Sequence, residues 1–397
     1  MSKKIMILGA SILQLPAIMQ AKKMGIEVIA VDMNPNAIGF KYADKTLVIS
    51  TIDVKSVLKA AKEENIDGIM TLASDMPMRT VAVVAKELGL VGIDETTALR
   101  ATDKAVMRKC LMDNNVPIPK FFKVSSKQEY ERAVKQFETK FIVKPADNSG
   151  SRGIFLVDNL SDEKLIDQAY LYSKEYSRNG DIVVEEYMTG DEVSVETLSI
   201  DGVCHVVQIT DKLTTGAPHF VEMGHSQPTK HSFEISEKIR EVATMAVSAI
   251  GIKNGPSHTE IMVTKDGPKI VELGARLGGD CITTHLVPLS TNINMVEKCI
   301  LIALGEKPDI IKTIDKGSAI RYLPSHKGKL LEISNVGEAE NVPGVKEISF
   351  VKKEGEELTD IESSTARIGF VIAQGDTADT AINACNQAIE QIKVVIV

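Results

Sequence analysis

The chain has 397 residues, 44% apolar and 25% charged, with a formal net charge of −8; this length allows two to four compact units, and the apolar share excludes a disordered chain. The acidic balance excludes a global basic field for nucleic-acid backbones, and an aromatic share of 4% without Trp argues against a stacking platform for single strands. Five cysteines without C-x-x-C spacing signal no zinc or redox centre, and charges interrupt every apolar run short of a membrane span, so a soluble cytoplasmic protein without nucleic-acid or membrane partners is expected.

In chain order, Lys4 to Leu8 reads as a buried strand, Gly9-Ala10-Ser11 as a turn, Pro16 to Met24 as a helix and Glu27 to Val31 as a second strand ending at Asp32. Leu47 to Ser50 and Gly68 to Leu72 read as further strands around a helix from Val54 to Glu64. Such alternation predicts a parallel sheet covered on both faces, a doubly wound domain over 1–100. A helix from Ala105 to Asn114 precedes Val116-Pro117-Ile118-Pro119. Mixed strands and helices then run to about residue 310: Phe141 to Lys144, Ile154 to Val157, Ile182 to Glu186, Val193 to Ile200, Val203 to Ile209, a helix from Ser236 to Ile250, and a hairpin of Thr259 to Val263 with Lys269 to Leu273. A C-terminal domain over 311–397 ends in a helix, Thr377 to Gln391. The expected class is therefore α/β together with α+β.

The first glycine cluster follows a strand and opens a helix, with Asp32 where a ribose-binding acid would lie. The second and third glycines of that fingerprint are missing, which favours a plain strand-to-helix turn over an NAD site. Thr71 to Asp75 ends a strand at the same edge and is expected in the same crevice.

Four later features carry chemistry. Phe141-Ile142-Val143-Lys144-Pro145 delivers a Lys into a loop with Ser149, Gly150, Ser151 and Gly153; Lys supplies a compact charge and glycines let N–H groups approach phosphate oxygens. A hairpin loop with a surface Lys is the plain alternative. Ile182 to Val184 runs into Glu185, Glu186 and Met188, with Glu192 beyond; an adenine amino group and ribose hydroxyls would supply donors to the acids, with Met188 against the base, unless the acids are simply exposed. Lys104 opens a helix that Thr102 or Asp103 would cap. Finally, Glu260 and Glu272 lie in the two strands of the hairpin. A three-residue loop of Lys265-Asp266-Gly267 would put Val271 opposite Ile261 and Glu260 opposite Glu272, where a shared divalent cation would relieve their repulsion; a two-residue Asp266-Gly267 turn would separate them. Arg276 follows, suited to bidentate binding of a phosphoryl group, with Gly278 and Gly279 leaving room for substrate.

This succession of elements resembles the ATP-grasp superfamily over nearly the whole chain, and within it the carboxylate–amine ligases: the L-amino-acid ligases and relatives of phosphoribosylglycinamide synthetase and biotin carboxylase. The resemblance implies an ATP-grasp domain over 101–310 with a lid over about 118–184. It implies ATP with Mg²⁺, or Mn²⁺ in its place. Lys104 and Lys144 would meet phosphates; Glu185, Glu186 and Met188 would hold adenine, and Glu192 the ribose. Glu260 and Glu272 would ligate metal, and Arg276 would stabilise the transferring phosphoryl group. Many members carry Asn two residues after the second metal Glu; here it is Gly274, which counts against a close match to the purine-pathway enzymes.

The expected reaction is activation of a carboxylate as an acyl-phosphate, followed by attack of an amine. The polar stretch from Thr210 to His225 is assigned to the pocket for these small molecules: Lys212 or His219 for the carboxylate, Glu222 for an ammonium group. Gly278, Gly279 and Asp280 are further substrate candidates. Competing readings are a phosphoribosylglycinamide synthetase, with Arg79 and Arg321 as scattered phosphate candidates, a non-catalytic nucleotide-binding regulator, and an NAD-dependent dehydrogenase. The low aromatic content leaves open a homodimer built on aliphatic faces.

Overall fold

The computed structural model describes residues 2–148, 152–217 and 219–397. Ser149, Gly150 and Ser151, expected at ATP, lie outside the described residues. Near the N-terminus, β1 (Lys4–Leu8), β2 (Glu27–Asp32), β3 (Lys45–Val48) and β4 (Gly68–Met70) form a parallel sheet in the order β3-β2-β1-β4. Ile5 to Leu8 are fully buried because both faces are covered. Met6 and Leu8 pack on helices Val54–Glu64 and Pro77–Leu88; Ile5 and Ile7 pack on Leu15–Lys23 and on the distant helix Met295–Ala303. The carboxyl ends of β1 and β4, where strand order reverses, form the crevice in which ligands of open α/β sheets bind. Asp32 accepts from the backbone N–H groups of Ala10 and Asn34 at 2.8 and 2.9 Å, so its carboxylate fixes the turn.

A second, antiparallel sheet contains β5 (Phe121–Val124), β6 (Phe141–Pro145), β7 (Phe155–Val157) and β8 (Ile182–Glu186) in the order β5-β8-β6-β7. It has its own core, in which Tyr130, Phe137, Phe141 and Tyr170 pack on Val143 and Val184.

The remaining strands are β9 (Asp191–Ile200), β10 (Val203–Thr214), β11 (Glu222–Gln227), β12 (Gly255–Thr264), β13 (Gly267–Gly274), β14 (Gly317–Tyr322), β15 (Gly328–Ser334), β16 (Val345–Phe350), β17 (Glu357–Leu358), β18 (Gly369–Gly375) and β19 (Lys393–Ile396). Eight form one sheet, β13-β12-β9-β10-β11-β14-β18-β16, and three form a small one, β17-β15-β19. Since β11 pairs with β14, hydrogen bonding runs unbroken across the boundary expected near residue 310. The last helix, Ala378–Gln391, is capped by Thr377. Among the described residues no single helix is long and apolar enough to cross a bilayer.

The β12–β13 hairpin reaches its register by neither turn anticipated from the sequence. Lys265 and Asp266 form the turn, Thr264 pairs with Gly267, and Ile261 pairs with Ile270 rather than Val271. The register then shifts by one, leaving Val271 as the extra residue of a bulge and bringing Glu260 opposite Glu272. Ile270 and Leu273 are both fully buried in the same core. Their odd spacing needs the bulge, which turns Glu272 to the face opposite that core.

Candidate active site

Asp103 caps helix Lys104–Asp113, accepting from the N–H groups of Ala105 and Val106 at 3.0 Å. Lys104 therefore starts a fixed helix, and its Nζ donates to Glu272 Oε1 at 2.7 Å and to the Asn148 carbonyl at 2.6 Å. Lys144, at 6% exposure near the end of β6, lies 2.6 Å from Glu185 Oε2. Burial lowers its pKa; Glu185 opposes this, while Arg108 and Lys104 add to it. Three buried cations (Lys104, Lys144 and Arg108) thus share two carboxylates, Glu185 and Glu272. A local positive excess in a low-dielectric wall suits a polyanion.

Arg108 was missed in the sequence, although it sits one helical turn beyond Lys104. Its Nε and Nη2 clasp Glu185 at 2.6 and 3.2 Å, and Nη2 also donates to the carbonyl of Val271, the bulged residue, at 2.7 Å. Burial alone would raise Glu185, but Arg108 and Lys144 outweigh it and hold the carboxyl at about 2. Glu185, expected at adenine, thus has its carboxylate paired with two buried cations. Glu186 points the other way, accepting from the Lys120 N–H at 3.2 Å and lying 3.6 Å from Lys269 Nζ. Met188 is half-buried just past β8.

Lys212, on β10, is the hub of the acidic wall. Its Nζ lies 2.5 Å from Glu192, 3.0 Å from Glu260 and 3.8 Å from Glu222. Burial disfavours its charge, but the three carboxylates prevail and raise its pKa. His258 lies 2.5 Å from the fully buried Glu196 through Nδ1 and 3.6 Å from Glu260 through Nε2. Burial works against its imidazolium, yet Glu196 raises the group to about 9. Arg276 Nε and Nη2 grip Asp75 at 2.8 and 3.3 Å, so the loop after β4 reaches into this wall. A polar cleft lined by Asp75, Thr102, Lys104, Asp147 and Glu272 opens beside them.

Among the described residues no group of three or more His, Cys, Asp or Glu side chains is gathered as a self-sufficient metal site. The donor set nevertheless fits Mg²⁺ bound together with nucleotide, which takes one or two carboxylates and completes its shell with phosphate oxygens and water. Glu260 and Glu272 face each other across the ladder, and each is neutralised by a lysine, Lys212 and Lys104.

Of the residues expected at substrate, Glu222 lies near Lys212, and Asp280 forms an ion pair with Arg367. Gly278 has another reason to be glycine than the one expected. A Cβ there would meet His258 Nδ1 at 2.7 Å and the Glu196 carboxylate at 3.0 Å, so its space is filled by protein, whereas at Gly279 the nearest atom is the Ala73 Cβ at 3.8 Å. His219 does not join the charged cluster; it is 42% exposed with Nε2 4.0 Å from Glu362. The left-handed Phe220 beside it turns the chain before β11 begins. Gly153, expected at phosphate, sits at φ +80° against Pro145 and Tyr176.

Residues 137–284 match the ATP-grasp domain, and residues 321–397 match the L-amino acid ligase C-terminal domain 2. The L-arginine-specific L-amino acid ligase of Bacillus subtilis is 24% identical over 342 residues, 83% of this chain and 82% of that one. In structure, the L-amino acid ligase from Bacillus licheniformis superposes with a TM-score of 0.85 at 23% identity, covering 100% of this chain and 99% of that one. Phosphoribosylglycinamide synthetase from Anaerococcus prevotii gives 0.81 at 24%, with both chains fully covered. Residues 137–284 thus carry an ATP-grasp domain, and the chain is similar along most of its length to ATP-dependent carboxylate–amine ligases.

Proposed function

We propose that this ATP-dependent ligase joins two amino acids, activating the carboxylate of one for attack by the amino group of the other. The observation that carries the reading is the pair Glu260 and Glu272, aligned by the Val271 bulge and each holding a lysine. In the first step a carboxylate oxygen attacks the γ-phosphorus of ATP and ADP leaves. In the second the amine nitrogen attacks the acyl carbon, the C–O bond to phosphate breaks, and a proton is lost from nitrogen. The first step depends on positioning and charge neutralisation. Lys104 and Lys144 would hold phosphate oxygens, and Arg276 would turn its fork from Asp75 to the transferring group. Glu260 and Glu272 would hold Mg²⁺, which supplies charge neutralisation at the phosphates. The sheet β5-β8-β6-β7 would close over the nucleotide and keep water from the acyl-phosphate.

The match of residues 321–397 to an L-amino acid ligase C-terminal domain supports amino acids as substrates. The two arginines considered for a sugar phosphate are otherwise engaged. Arg79 donates to the Thr102 hydroxyl at 2.7 Å, and Arg321 donates to the carbonyls of His225 and Ile320 at 3.0 and 2.9 Å. The test is phosphate release from Mg-ATP across pairs of amino acids, with mass spectrometry of the products. Release requiring both partners, with a dipeptide and ADP formed, is expected. A condensed product only with a phosphoribosylamine acceptor would replace this reading by the synthetase one.

A further inference from the structure

Arg367 stands just before β18, in the part of the chain furthest in sequence from the nucleotide motifs, and is only 8% exposed. Nη1 and Nη2 donate to the two carboxylate oxygens of Asp280 at 2.8 and 2.9 Å. Nη1 also donates to the backbone carbonyl of Glu222 at 3.1 Å, and Nε to that of Ser364 at 2.9 Å. The guanidinium carbon lies 3.7 Å from the centroid of the buried Tyr322 ring. Four of its five N–H donors are therefore committed, and its flat face is stacked.

Its two main partners come from separate segments of the chain, the turn after Gly279 and the start of β11. Asp280 follows Gly278-Gly279 and sits at φ +49°, as Cys281 does at +61°. Left-handed backbone at non-glycine residues costs free energy and persists only where the surroundings fix it. Here the bidentate ion pair does so, with His225 Nε2 3.5 Å from the same carboxylate. Glu222 opens β11, and its own carboxylate lies 3.8 Å from Lys212. One side chain thus ties the turn after Arg276 to the strand that carries Glu222.

We infer that Arg367 is a positioning residue for substrate binding, holding Asp280 and Glu222 in one geometry from the C-terminal part of the chain. The inference rests on the reading that Glu222 and the Gly279-Asp280 turn line the substrate pocket. Removing the guanidinium strands the Asp280 carboxylate, and a partly buried charge without its partner rearranges its surroundings.

The test compares wild type with Arg367→Met and Arg367→Lys by hydrogen–deuterium exchange, ADP binding and steady-state kinetics with amino-acid substrates. For Arg367→Met, exchange in segments 222–227 and 278–286 is expected to rise about tenfold or more while exchange around Lys104 and Lys144 stays unchanged. ADP affinity should stay within about twofold and the amino-acid KM should rise about tenfold or more, with Arg367→Lys in between. Wild-type exchange in both segments, or ADP affinity falling in step with KM, overturns the inference. Should Arg367→Met not fold, Arg367→Lys and Asp280→Asn are read by the same criteria. Exchange and ADP binding need no turnover, so an enzyme inactive on amino acids would sink the proposed substrates and leave this result readable.

Discussion

The proposed nucleotide end and the proposed acceptor end of the site are assembled from differently distributed parts of the chain. At the proposed nucleotide end, Lys104, Lys144, Glu260, Glu272 and Arg276 each sit at a helix start, a strand end or a hairpin, and each is paired with a charged side chain from another part of the chain or the facing strand. At the acceptor end, Glu222 and Asp280 are placed by Arg367, which belongs to another element altogether. The elements of the first end are set by backbone ladders and a helix cap. The second depends on side-chain pairs that cross the large sheet. Losses at the first end should therefore appear in ATP chemistry, and losses at the second in recognition of the acceptor.

The largest effect is expected at Glu272. Glu272→Gln removes one of two facing carboxylates and the partner of Lys104. Turnover should fall by about 10²–10³-fold, the scale seen on removing one preorganised charge-stabilising group, with the dependence on Mg²⁺ concentration shifted upward. Undiminished turnover at ordinary Mg²⁺ would remove the metal from this pair and with it the contrast between the two ends.

Next comes the buried triad of Arg108, Glu185 and Lys144. Glu185 is held at about 2 against an ordinary 4.5. Its pKa is depressed in the folded state, so it contributes stability that is fully present above about 4.5 and is lost as pH falls through about 2. The shift corresponds to a contribution on the order of 3 kcal/mol. Urea midpoints followed downward through that window should fall more steeply in wild type than in Glu185→Gln, which starts lower. Parallel slopes would show that Glu185 keeps the same pKa in both states and that the triad adds nothing to the rigidity of the nucleotide end.

How much of this was legible in the sequence follows the same division. The parallel sheet, the strand-borne Lys144 and the acidic hairpin could be read because apolar periodicity and neighbouring residues specify them locally. The outcome at Glu260 and Glu272 was reached by another route. The turn contains two residues rather than three, and the bulge at Val271 supplies the missing residue. The trace of that bulge was present in the sequence, since Ile270 and Leu273 cannot both face one core in a regular strand. The Arg108 partner of Glu185 was not legible because an acid at a strand end looks the same whatever its partner, here an arginine one turn along a distant helix. The partnership of Arg367 with Asp280 has no local signature at all. Such pairs arise only when the sheet brings remote segments together.

The smallest of these effects separates two adjacent glycines. A methyl group at Gly278 runs into the His258–Glu196 pair, whereas at Gly279 it meets only the Ala73 methyl at ordinary contact distance. Gly278→Ala must therefore displace a buried imidazole and carboxylate. An overpacking cost of about 1–3 kcal/mol follows, together with weaker Mg-ATP kinetics through Glu260, 3.6 Å from the same imidazole. Gly279→Ala should leave stability and nucleotide kinetics near wild type, because a methyl there has room; any change should be confined to KM for the acceptor, whose proposed pocket the Gly279-Asp280 turn lines. Thermal melts and separate KM values for ATP and acceptor decide this. If Gly279→Ala instead raises KM for ATP, the boundary between the two ends lies on the acceptor side of Gly279, and the turn that Arg367 secures serves the phosphoryl transfer itself.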